Sequence, residues 1–154
     1  MLRFNKPDDE GVMQPFKYLT EQLAVAGQLQ PEDMQRAYAA GFKTIINNRP
    51  DAEEAGQPTN QAIQKIAAQL GLDYHFMPVL ASQLTDDNIA EFTKLAPQIE
   101  GPVLMFCRTG TRCTYLWALA EAANQDVQWL AEQARQAGYD LSGIAARMQQ
   151  RQQK

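Results

Sequence analysis

The sequence predicts an α/β domain: a central, mostly parallel sheet flanked by helices. Three observations carry that prediction. Short apolar, β-rich runs alternate along the chain with segments of helical periodicity. Glycines stand just past those helical segments, at Gly41, Gly71 and Gly138, where helices end. The run Val103-Leu-Met-Phe is apolar at every position, as expected of a central strand covered on both faces. A chain of 154 residues has room for one domain with a single sizeable core.

In chain order, residues 1–15 are polar with Pro7, Gly11 and Pro15, and read as an irregular lead-in to a single domain over residues 16–150. Tyr18 to Ala26 reads as one short strand ending at Gly27. Pro31-Glu-Asp opens a helix, because proline suits a first turn and acids favour the positive end of the dipole. That helix runs through Tyr38 and stops at Gly41. Phe42 to Asn47 is a buried strand, broken by Asn48-Arg-Pro-Asp into a loop. A second helix covers Asn60 to Leu70, and Tyr74-His-Phe-Met-Pro-Val is a further strand. Thr85 caps a third helix whose Ile89, Phe92, Leu95 and Ala96 share a face. Pro102 to Phe106 is the central strand. A helix follows from Thr111 with Leu116, Leu119 and Ala120 facing inward, then helices over Val127 to Ala137 and Leu141 to Gln150.

Composition narrows the function classes. A net charge of −4 and no basic stripe argue against a nucleic-acid binder. The basic, Gln-rich tail from Arg147 to Lys154 reads as a fraying helix end. No apolar run is long enough to span a bilayer, which points away from the membrane. The opening residues lack a signal-peptide core, which points to the cytoplasm. Two cysteines and one histidine, His75, show no zinc-ligand spacing, so no metal or other cofactor is expected. The sequence carries no signal for oligomeric state.

The chemistry concentrates in Cys107-Arg-Thr-Gly-Thr-Arg-Cys113. In a parallel sheet, ligands bind beyond the carboxyl ends of the strands, and this loop follows the central strand. A helix beginning near Thr111 would turn its unpaired N–H groups and its positive dipole end toward Cys107. With Arg108 and Arg112 nearby, those fields favour a thiolate over a thiol. Gly110 lets the loop curl so that successive N–H groups of Thr109, Gly110, Thr111 and Arg112 converge on an anion. Arg112 can grip two oxygens of a tetrahedral anion at once. An inert buried cysteine is the alternative, but it leaves two arginines, a glycine and two threonines in the next five positions unexplained.

The loop resembles the signature loops of Cys-dependent phosphatases and of rhodaneses. The wider chain, from about Tyr18 to Tyr139, resembles the phosphatase-like domain of the beta-lactamase-hydrolase-like proteins. The resemblance rests on Ala26-Gly-Gln, on Gly41-Phe-Lys-Thr-Ile-Ile-Asn-Asn-Arg-Pro-Asp, on Pro78-Val, and on Cys107-Arg-Thr-Gly-Thr-Arg followed by Leu116-Trp-Ala-Leu. It implies a protein-tyrosine-phosphatase-like fold of the dual-specificity type. Two departures stand out. Such phosphatases place five residues between cysteine and arginine, whereas here there are four, the rhodanese spacing, and Cys113 takes the arginine position. Where those enzymes tend to carry an aspartate acid after a Pro-hydrophobic pair, this chain has Ala81.

Asp51 is the candidate replacement acid, with Asp86 and Asp87 behind it; a turn for the first and a helix N-terminus for the others are the structural alternatives. Arg49 is a candidate anion contact, against the default of a surface arginine. His75 either orients the site or is simply hydrogen-bonded near the sheet end. Cys113 packs in the first helical turn, resolves an oxidised Cys107, or supports a persulfide. The expected partner is a small anionic substrate, a phosphate ester or a sulfane-sulfur donor. The leading function is a phosphatase-like hydrolase acting through a cysteinyl-phosphate. The alternatives are a sulfurtransferase with a persulfide on Cys107 and a non-catalytic anion-binding or thiol-redox module.

Overall fold

A computed structural model describes residues 15–81 and 83–152 of the protein. All but the last residue of the expected lead-in lies outside the described residues. Five strands form one mixed sheet: β1 (Lys17–Thr20), β2 (Leu23–Ala26), β3 (Thr44–Asn47), β4 (Asp73–Phe76) and β5 (Val103–Phe106). Their order across the sheet is β1-β2-β5-β3-β4, with only β1 antiparallel. The expected single strand over Tyr18 to Ala26 is therefore a hairpin. Its turn, Glu21-Gln22, has none of the glycine, asparagine or proline that usually marks one.

Among the described residues, six α-helices cover the sheet: α1 (Pro31–Ala39), α2 (Asn60–Leu70), α3 (Asp86–Leu95), α4 (Thr111–Glu121), α5 (Val127–Gln136) and α6 (Ala145–Gln152). Their ends follow local chemistry. Thr59, Thr85 and Asp126 cap α2, α3 and α5 by accepting backbone N–H groups, and Gly71 closes α2 at φ 77°.

Alternation along each strand sends side chains to two cores. Ala24, Ala26, Ile45, Leu104 and Phe106 pack with Leu29, Met34, Ala37, Ile63 and Ala67, which puts α1 and α2 on one face. Val25, Ile46, Val103 and Met105 pack with residues of α3, α4, α5 and α6 on the other. The helix α4 lies deepest, with Cys113, Thr114 and every residue from Leu116 to Ala120 buried. A helix enclosed in this way has little freedom to shift, so its first turn is a fixed platform. The described part of the basic tail, through Gln152, is also tied down. Arg147 donates to the Leu84 carbonyl (2.7 Å) and pairs with Asp86 (3.0 Å), and Arg151 donates to the Leu119 carbonyl. Among the described residues, no helix is long and apolar enough to cross a membrane.

Candidate active site

The three central parallel strands end together, and Cys107 sits at their carboxyl ends. Its N–H donates to Ala26 O at the end of β2 (3.3 Å), and Asn48 N–H donates to Phe106 O beside it (2.8 Å). The loop from Cys107 then turns into α4 through Gly110, whose φ of 92° only glycine adopts readily. The Gly110 N–H donates to Cys107 Sγ at 3.1 Å. The loop is held closed by Thr114, whose hydroxyl donates to Gly110 O (2.8 Å), and by Tyr139, whose hydroxyl donates to Thr109 O (2.9 Å).

These donors set the ionisation of Cys107. The Cys113 thiol donates to its sulfur, which is the largest effect; burial opposes it; the backbone N–H groups of Cys113, Thr109 and Gly110 add to it. Together they bring the Cys107 thiol down to about 5. Burial, and then the neighbouring Cys107, push the Cys113 thiol well above its ordinary value. The pair thus shares its protons unequally, with Cys113 the neutral donor and Cys107 the thiolate at neutral pH. Of the three readings of Cys113, the one the geometry shows is burial in the first turn of α4.

A titration of ultraviolet thiolate absorbance checks this. The difference between wild type and Cys107→Ser should show a midpoint of about 5, with the thiolate lost as pH falls through it. Cys113→Ala should move that midpoint up, and Cys113→Ser, which keeps a donor, should move it less. An unmoved midpoint in Cys113→Ala would show that the backbone alone holds the thiolate.

Arg112 stands in the first turn of α4, and it is already engaged. Its two terminal nitrogens bind both carboxylate oxygens of Glu53 (2.8 and 2.9 Å), and one also donates to Val79 O (2.8 Å). Arg49 is the main correction to the sequence reading. It is no surface arginine but only 1% exposed. A guanidinium so far from water needs partners on every side. Arg49 has Glu53 at 2.9 Å, Gln28 Oε1 at 2.9 Å and Glu54 at 3.0 Å. Arg108 lies outermost, 3.6 Å from Glu54. The Arg112 hydrogen bond, opposed by partial burial and assisted by Arg49, holds the Glu53 carboxyl below the usual carboxylate range.

The other candidates are placed elsewhere. Asp51 Oδ1 accepts the Asn60 N–H at 2.7 Å, tying the loop to the start of α2. Asp86 and Asp87 stand in the first turn of α3, where Asp86 meets Arg147. His75 is on the edge strand β4, 3.0 Å from Asp73. Thr109 and Thr111 bond to each other through their hydroxyls (3.0 Å) at the loop surface. The residues that sequence reasoning passed over are Glu53, Gln28, Tyr139 and the Val79 carbonyl. The one signal for Glu53 was its place four residues after Arg49 in the same loop.

The family model for the beta-lactamase hydrolase-like protein, phosphatase-like domain, matches residues 15–124. The beta-lactamase hydrolase-like protein of Agrobacterium fabrum is 41% identical over 110 residues, which are 71% of this chain and 26% of that protein. The chain thus spans about a quarter of the length of the curated relatives it matches. Among solved structures, a candidate phosphatase from Neisseria meningitidis aligns with a TM-score of 0.79 at 36% identity, covering 88% of this chain and 96% of that one. A kinase-associated phosphatase, whose catalytic-site residue is a cysteine, aligns with a TM-score of 0.65 at 12% identity over 79% and 81% of the two chains. That likeness is one of fold, the protein-tyrosine-phosphatase-like fold of dual-specificity type.

Proposed function

The chain belongs to the phosphatase-like domain family of the beta-lactamase hydrolase-like proteins, and from that membership we propose that it is a Cys-dependent phosphatase-like hydrolase of small phosphate esters. The observation that carries the reading is the state of Cys107. It is a sulfur at the strand ends with a pKa of about 5, receiving backbone N–H groups and lying one short loop from Arg112. In the proposed reaction the Cys107 thiolate attacks phosphorus and the bond to the ester oxygen breaks, leaving a cysteinyl-phosphate. Loop N–H groups and the Arg112 guanidinium would stabilise the equatorial oxygens. Water then cleaves the S–P bond, releasing phosphate and restoring the thiolate.

The absence of an aspartate at Ala81 shapes the expected substrate range. A positioned acid typically contributes about 10²–10⁴-fold by protonating the departing oxygen. Asp51 is the acid proposed from sequence, and its bond to the Asn60 amide favours a structural role instead. An activated aryl ester, whose phenolate leaves without a proton, should therefore turn over far better than an alkyl ester.

The four-residue spacing favours a second reading, sulfur transfer through a Cys107 persulfide. Two assays on the reduced protein separate them: phosphate release from p-nitrophenyl phosphate, and thiocyanate formation from thiosulfate and cyanide. Phosphate release that falls steeply as the leaving group becomes more basic is the expected result. Thiocyanate without phosphate would assign sulfur transfer. Neither product, with a fast reversible Cys107–Cys113 disulfide, would assign the redox module.

A further inference from the structure

Cys107 has no exposed surface, and Arg112 has both terminal nitrogens on a carboxylate. A substrate reaching this site must therefore move something. Over Arg112 lies the loop carrying Glu53 and Glu54, whose residues from Asp51 to Gly56 are exposed. Little apolar burial opposes its displacement.

Three features of that loop point the same way. Glu53 makes a two-oxygen contact with the Arg112 fork, the contact a phosphoryl group would make, and accepts a third bond from Arg49. Ala52, just before it, sits at φ 64°, a left-handed conformation that a residue with a side chain adopts at a cost. The charges around the site also cancel: Arg49, Arg108 and Arg112 against Glu53, Glu54 and the Cys107 thiolate. A phosphate dianion entering this neutral cluster would face uncompensated negative charge unless a carboxylate left.

We infer that Glu53 is an internal competitor for the oxyanion seat on Arg112, and that substrate binds by taking that fork from it. The inference rests on the proposed phosphatase reading only for the identity of the anion. Glu53 sets affinity and selects for substrates that can present two oxygens and full charge to Arg112. Singly charged or monodentate anions would exchange poorly with it.

Direct binding of inorganic phosphate to the reduced protein tests this without requiring turnover. Glu53→Gln keeps the shape but gives Arg112 no charged two-oxygen partner. Phosphate should then bind roughly 10-fold or more tightly, the scale of one charge-assisted contact. With p-nitrophenyl phosphate, KM should fall while kcat holds. Unchanged or weaker phosphate binding overturns the inference. So does a fall in kcat at constant KM, which would make Glu53 a proton donor. If Glu53→Gln does not fold, Glu53→Asp keeps the charge for Arg49 on a stem too short for both arginines. Phosphate binding by Glu53→Asp no tighter than wild type would overturn the inference equally. Tighter phosphate binding without any ester turnover would leave the seat standing and remove the phosphatase reading.

Discussion

Cys107→Ser should lower turnover of p-nitrophenyl phosphate by about 10³-fold or more, the scale of losing a nucleophile whose partners work as a unit. The donors around Cys107 bring its thiol down to about 5, which favours the reactive thiolate at neutral pH. A serine hydroxyl in the same place stays protonated, and the donors around it cannot make up the difference. The fold should tolerate the change. Serine is slightly smaller, and its oxygen can still accept the Gly110 N–H that now reaches sulfur at 3.1 Å. Thermal unfolding measured beside the activity should therefore shift by only a few degrees, as for a loss of about 1 kcal/mol. Activity in Cys107→Ser within tenfold of wild type would place the nucleophile elsewhere and remove the reading built on this loop.

The loop could be read from sequence because its parts are neighbours. Cys107, Gly110 and Arg112 lie within six residues, and a strand running into a helix N-terminus fixes what their backbone does. The second half of the site was hidden for the opposite reason. Glu53 and Arg112 are 59 residues apart, and Gln28 and Arg49 are 21 apart. Only the pairing of β2, β5 and β3 brings their loops together. Asp51 was singled out from the run Asp51-Ala-Glu-Glu for its place in a strand-end loop, and nothing in the sequence says which carboxylate of an irregular loop turns inward. The buried state of Arg49 was equally invisible: an arginine after a strand is ordinarily solvated, and what removes it from water is a set of partners drawn from two loops. The first five helices were legible to within a residue or two because caps and terminal glycines are local; the last, expected from Leu141, begins only at Ala145 after a separate short turn over Ser142–Ile144. The β1–β2 turn was not, since Glu21-Gln22 looks like a continuing strand.

Gly110→Ala should be the most destabilising single-methyl change in the site. At φ 92° an added Cβ costs about 1–2 kcal/mol from backbone strain alone. That Cβ would also fall on the Tyr139 hydroxyl and within 3.0 Å of its Cζ, so the ring must be displaced and its bond to Thr109 O broken. Overpacking of this kind typically adds about 1–3 kcal/mol. The sum, about 2–5 kcal/mol, corresponds to a fall in Tm of roughly 4–20 °C for a chain of this size. Function should suffer further, because the Gly110 N–H is one of the groups holding the Cys107 thiolate. Its ultraviolet titration midpoint should rise from about 5 as the loop shifts. Tyr139→Phe alone removes one hydrogen bond and should cost only about 1 kcal/mol. In the double variant, losing the hydroxyl relieves the worst overlap but leaves Cζ and the backbone strain. Part of the stability should therefore return, with a measurable coupling between the two positions. A Gly110→Ala protein that melts with wild type would mean the loop does not need this conformation, and the cradle drawn around Cys107 would have to be redrawn.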